Sequence, residues 1–119
     1  MTVHAPIRED ERWQRLRGMV EEMAYLEAEE DQWFTLASGR KSKHFFDTKP
    51  VMMHPEASQL LGALLNDRLD KWGPDLVGGL ELGAVPLTAI AISTSSSDCP
   101  RLGFMVRKEA KGRGGRKTN

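Results

Sequence analysis

The spacing of apolar residues changes along the chain, and each change predicts an element. Trp13, Leu16, Val20, Met23 and Leu26 recur at intervals of three and four, with Glu and Arg between them. That pattern predicts an amphipathic helix over Asp10 to Glu30. Gln32 to Ala37 is aromatic and β-branched, Ser38-Gly39-Arg40-Lys41-Ser42 has turn composition, and Lys43 to Thr48 is a second short apolar run. Together they predict a hairpin. Pro55 suits the first turn of a second helix, whose stripe is Leu60, Leu61, Leu64, Leu65 and Leu69 and which Gly73-Pro74 ends.

Leu76 to Leu80 is apolar without alternation, the pattern of a parallel strand covered on both faces. Glu81-Leu82-Gly83-Ala84-Val85-Pro86 follows as a tight turn, Leu87 to Ile92 as a helix that dissolves in Ser93 to Ser97, and Leu102 to Val106 as the next strand. Strand, glycine turn, helix and strand make a βαβ unit, which crosses over right-handed and places ligands at the carboxyl ends of its strands. The fold class is α/β. Three regions follow: helix and hairpin over 1–54, the βαβ core over 55–106, and a basic loop or tail over 107–119.

A chain of 119 residues with 39% hydrophobic and 29% charged residues is one globular domain or part of one, too apolar for a disordered chain. Cys99 is the only cysteine, which excludes an internal disulfide and fits a reducing, cytoplasmic setting. The first ten residues turn acidic where a signal peptide needs an apolar stretch. Glu81, Pro86 and the glycines interrupt the longest apolar run, so no membrane span is expected. The net charge of zero conceals an asymmetry: from Arg107 to Asn119 six basic residues stand against Glu109 alone. The positive charge is therefore gathered in one glycine-rich segment, suited to an anionic ligand.

Three places carry candidate chemistry. Gly83-Ala84 lies between a strand and a helix, where backbone N–H groups can face a phosphate; equally, glycines there serve close packing of strand and helix. Arg107 and Lys108 end a strand, with Lys111 and Arg113 on the segment that follows, an arrangement suited to clamping a polyphosphate. The same residues also read as a solvated tail or a nonspecific RNA contact. Ser38 to Ser42 is a third basic segment, or simply a charged turn. Phe45 and Phe46 are consecutive in a strand and point to opposite faces, with core as the default for both. His4, His44 and His54 are scattered, with no metal-ligand spacing.

Taken together, Phe34 to Ser42 with Phe45-Phe46-Asp47, then Val77 to Pro86, then Val106-Arg107-Lys108-Glu109-Ala110-Lys111-Gly112 resemble orotate phosphoribosyltransferase, a type I phosphoribosyltransferase, over its N-terminal half. The resemblance runs from about Asp31 to Lys117. It implies a partial Rossmann-like parallel sheet preceded by a helix and hairpin hood, with the later strands absent. The implied reaction joins orotate to phosphoribosyl pyrophosphate (PRPP) with Mg²⁺, giving orotidine 5'-monophosphate and pyrophosphate in pyrimidine synthesis. By position, Phe45 and Phe46 match the segment lining the orotate site and Gly83-Ala84 the turn that holds the donor's pyrophosphate. Arg107, Lys108, Lys111 and Arg113 match the mobile loop, which in this family reaches into the partner of a homodimer. Lys111 is the implied rate-sensitive residue: cations there neutralise the departing pyrophosphate while the ribosyl centre becomes oxocarbenium-like.

The sequence also departs from the family. Arg113 stands where the loop usually has His, and Ala37 where many members have a donor-binding Lys. The family's two adjacent acidic residues and Thr/Gly-rich loop, which seat the ribose 5-phosphate, have no counterpart before Asn119. The resemblance thus implies a truncated chain, weakly active or inactive by itself and prone to self-association. The other readings are a non-catalytic half-domain that pairs with a complete enzyme, and a small protein that binds RNA through its Arg/Gly tail.

Overall fold

The computed structural model describes residues 6–109. Two compact units divide the chain, one up to Ala57 and one from Ser58 onward.

In the first unit a short 3-10 turn, Ile7–Glu9, leads into α1, Glu11–Met23. Asp10 caps this helix by accepting the Arg12 N–H at 2.9 Å, which satisfies one of the otherwise unpaired donors of the first turn. The stripe predicted from spacing is the packed face: Trp13, Leu16, Val20 and Met23 are half-buried and Met19 is buried. The helix stops at Met23 rather than at Glu30. Tyr25–Glu27 instead forms β1, antiparallel to β4, His44–Phe46, with Tyr25 opposite Phe46 and Glu27 opposite His44. Leu26 fits helical spacing equally well, but cross-strand pairing decides its conformation. The Tyr25 and Phe46 rings lie 5.3 Å apart, and Lys43 pairs with Glu27 at 2.8 Å.

The predicted hairpin is present in altered form. β2, Phe34–Thr35, pairs with β3, Lys41–Ser42, around a turn in which Gly39 has φ 82°. Lys41 and Ser42 therefore belong to a strand rather than to the turn. The next run does not continue this ladder but returns to β1. A one-turn helix, α2, Lys49–Met52, follows and packs on α1, with Val51 and Met52 buried. Its four residues are too few for periodicity to reveal.

α3, Pro55–Trp72, begins at Pro55 as its sequence predicts and carries the chain into the second unit. His54 Nδ1 accepts the N–H groups of Glu56 and Ala57 at 3.2 and 3.3 Å, acting as the cap of this helix. Gly73 ends it with φ 63°. β5, Leu76–Leu80, then α4, Ala84–Ser93, and β6, Leu102–Val106, form the expected βαβ unit. β5 and β6 are parallel and in register from Leu76↔Leu102 to Leu80↔Val106.

Glycines bring α4 and the sheet close. A Cβ on Gly79 would sit 2.8 Å from that of Ala84, and one on Gly103 would enter the side chains of Ile92 and Thr88. These contacts place Val77, Gly79 and Gly103 on the α4 face of the sheet. The opposite face carries Leu76, Leu80, Leu102 and Phe104, all exposed, Leu102 by 71% and Phe104 by 45%. The expectation that Leu76 to Leu80 is covered on both faces is thus corrected: among the described residues only one face of this two-stranded sheet carries a helix.

A polar network holds the far side of α4. Asn66 on α3 donates to the carbonyls of Gly62 and Ala91, each at 3.0 Å, and to Thr94 Oγ1 at 2.9 Å. Its Oδ1 accepts from Arg101, which is 5% exposed and also pairs with Asp70. Arg101 thereby fixes the entry to β6 against α3.

Candidate functional site

The carboxyl edge of the β5–β6 pair is where the basic residues and the glycine turn meet. The parallel pairing runs one residue past β5 to the last residue of β6, because Glu81 N–H donates to the Val106 carbonyl at 2.8 Å. Arg107 and Lys108 follow at once and are exposed. On the other strand, Glu81 and Leu82, joined by a cis peptide bond, lead into Gly83 and the first turn of α4.

At that turn Val85 N–H goes to the Leu82 carbonyl at 3.0 Å, and Pro86 has no N–H. Any backbone grip on an anion here falls to Gly83 and Ala84. The surroundings of the glycines separate the two readings of this segment. Gly79 performs the close strand-to-helix packing. A Cβ at Gly83 would meet nothing within 4 Å, and its φ of −58° is open to any residue. Packing therefore does not require a glycine at 83, while the space above it is free for a ligand.

Phe45 and Phe46 lie in the first unit, on β4. They point to opposite faces as alternation requires, Phe45 toward Phe34 with ring centroids 5.6 Å apart and Phe46 toward Tyr25. The default assignment of both to the core is corrected: Phe45 is 39% and Phe46 58% exposed. β4 ends a sheet of two short strands, too small to cover either ring. Beside them His44 Nδ1 and the Tyr25 hydroxyl are 2.5 Å apart. On β3, just past the turn, Lys41 donates to Thr35 Oγ1 at 2.5 Å, tying its charge to the hairpin. Lys111 and Arg113 lie outside the described residues.

Charge pairing dominates the electrostatics of the first unit. A hydrogen bond from the Arg12 guanidinium holds the Asp10 carboxyl down at about 2, and one from Arg15 lowers Glu56. Lys43 lowers Glu27 and is itself raised by it. Among the described residues no group of three or more His, Cys, Asp or Glu is placed to hold a metal ion. They offer no protein cage for the Mg²⁺ that the resemblance implies.

Sequence reasoning missed two features of the second unit. Arg101, Asn66 and Asp70 are 31 and 35 residues apart in the pairs they form, and no local signal joins them. Glu81 did leave a signal, being the sole charged residue between Asp75 and Asp98.

No family model matches the chain. The orotate phosphoribosyltransferase of Bradyrhizobium sp. (strain ORS 278) is 49% identical over 83 residues, which are 69% of this chain and 45% of that protein. The present chain is a half-length homologue of the orotate phosphoribosyltransferases. Among solved structures, a phosphoribosyltransferase from Corynebacterium diphtheriae is similar with a TM-score of 0.71 and 28% identity, over 90% of this chain and 56% of that one. Orotate phosphoribosyltransferase of Mycobacterium tuberculosis H37Rv in complex with PRPP matches with a TM-score of 0.63 and 29% identity, over 84% and 56%. The α/β class and the partial type I phosphoribosyltransferase architecture expected from the sequence are thus those of the molecule. The chain spans about half the length of the relatives it matches.

Among the described residues no helix is long and apolar enough to cross a membrane.

Proposed function

We propose that the chain carries the acceptor-side aromatic segment, the pyrophosphate turn and the basic loop of an orotate phosphoribosyltransferase. In this reading Phe45 and Phe46 face orotate, Gly83 and Ala84 hold the donor's pyrophosphate through backbone N–H groups, and Arg107, Lys108, Lys111 and Arg113 neutralise it as it leaves. The reaction transfers the phosphoribosyl group of PRPP to orotate, with Mg²⁺ entering alongside the donor. A cytoplasmic homodimer with the loop acting in trans goes with the same reading. The observation that carries it is the open space over Gly83, at a strand-to-helix turn beside Arg107 and Lys108, in a chain whose relatives are orotate phosphoribosyltransferases. The test follows orotate absorbance with PRPP and Mg²⁺, alongside calorimetric binding of pyrophosphate. Orotate consumption or saturable pyrophosphate binding sustains the reading, and the lack of both in folded protein removes it.

The exposed sheet face of Leu76, Leu80, Leu102 and Phe104 favours a second reading, a half-domain that acts by pairing with another phosphoribosyltransferase chain. Co-purification with a complete enzyme, without orotate consumption by the chain itself, distinguishes it.

A further inference from the structure

Glu81 is out of place by composition: a carboxylate in an otherwise uncharged stretch, two residues before the turn assigned to an anion. Left free there, it would repel pyrophosphate. Its side chain is instead committed. Glu81 Oε1 accepts the backbone N–H of Lys108 at 2.7 Å, while the N–H of the same residue donates to Val106. One residue thus holds this strand's exit twice, its backbone N–H on the last residue of β6 and its side chain on the second residue beyond it.

We propose that Glu81 is a positioning residue that sets the direction in which Arg107 and Lys108 leave β6, at the edge that bears Gly83 and Ala84. The proposal rests on the reading of that edge as an anion site. The backbone bond ends the ladder, and the side-chain bond fixes the direction of the next two residues. A carboxylate accepting a backbone N–H is a charge-assisted bond, stronger than a neutral one. Among the described residues, this is the hydrogen bond that ties Lys108 to the β5 edge. The bond also orients the negative charge toward its own donor, so the cation-bearing segment and the carboxylate occupy one edge without the carboxylate facing the turn.

The experiment compares full-length wild type, Glu81→Ala and Glu81→Gln by amide hydrogen exchange and by calorimetric titration with pyrophosphate. Gln keeps an acceptor oxygen but removes the charge. Glu81→Ala is expected to speed exchange of the Lys108 amide about tenfold. The amides of α3 should be unchanged, which shows that the variant is folded. Glu81→Gln should keep Lys108 exchange within about threefold of wild type, and should bind pyrophosphate at least as tightly as wild type and several-fold more tightly than Glu81→Ala. Unchanged Lys108 exchange in Glu81→Ala overturns the proposal. So does equal pyrophosphate affinity in the two variants, which would make Glu81 a matter of charge alone. If wild type binds no pyrophosphate while Lys108 exchange still follows the acceptor, the anion-site reading fails and the clasp stands.

Discussion

Arg101 donates to Asn66 Oδ1 at 2.8 Å, so the chain's one buried guanidinium among the described residues is held by a neutral amide as well as by Asp70. Asn66 meanwhile serves α3 and α4 through Gly62, Ala91 and Thr94. Asn66→Ala should cost about 3 kcal/mol, because it leaves a buried cation short of an acceptor and the Ala91 carbonyl short of a donor. Urea melts measure it, and a loss below about 1 kcal/mol would show that the network is not stabilising the unit.

Gly79 and Gly83 should respond oppositely to one methyl group. Gly79→Ala drives a Cβ against Ala84 and should destabilise the second unit by about 1–3 kcal/mol. Gly83→Ala enters open space and should change stability by less than about 1 kcal/mol, the cost of a poorer cap, while weakening pyrophosphate binding by filling the ligand's space. Thermal melts and calorimetry on both variants separate packing from binding. Equal stability losses would return Gly83 to a packing role.

α1 should loosen in acid over a defined window. Asp10 has its folded-state value at about 2 against an ordinary 3.8, held down chiefly by the Arg12 side-chain bond. Its contribution is therefore complete above about pH 4 and fades as the pH falls toward 2. Carboxyl-carbon NMR titration should give Asp10 a midpoint well below 3.8. A midpoint at 3.8 would mean that the Arg12 bond is not held in solution.

Lys111→Ala, in an assembly that turns over orotate, should lower turnover far more than orotate affinity. In the proposed reading the cation acts on pyrophosphate as it leaves, not on the bound base. Steady-state kinetics with orotate varied provide the measurement. Equal losses in kcat and in orotate affinity would count against that role.

The uncovered sheet face should drive association. Leu102→Lys combined with Phe104→Lys should shift the protein toward monomer in analytical ultracentrifugation and raise its solubility, without changing α3 or α4. A wild type that is already monomeric and melts cooperatively would show that these side chains are tolerated in water.

The parts legible in the sequence were those whose signal is local. Pro55 and Gly73 bracket α3, and the apolar runs give β5 and β6 residue for residue, because turn chemistry and burial act on neighbours. Where two periodicities compete, the reading failed: Leu26 satisfies both helix and strand, and its partner Phe45 across the ladder decided. The glycine turn and the cations could be named from sequence. That Gly79 packs while Gly83 does not depends on where Ala84 lies, which is a three-dimensional fact.

The glycines of the second unit have a further consequence. Added methyl groups at Gly62, Gly78, Gly79 and Gly103 would each meet atoms of Thr94, Phe104, Ala84, or Ile92 and Thr88. At Gly79 and Gly103 the sheet thus meets α4 with almost no side chain between. Gly62 gives the same close approach to Thr94 beside α3, and Gly78 seats Phe104 on the other face of the sheet, so little at these places can be exchanged for another shape. Such a unit accommodates change at its rim and hardly at all along its seam. A random substitution library should therefore recover variants at exposed positions of α3 freely and almost none enlarged at these four glycines.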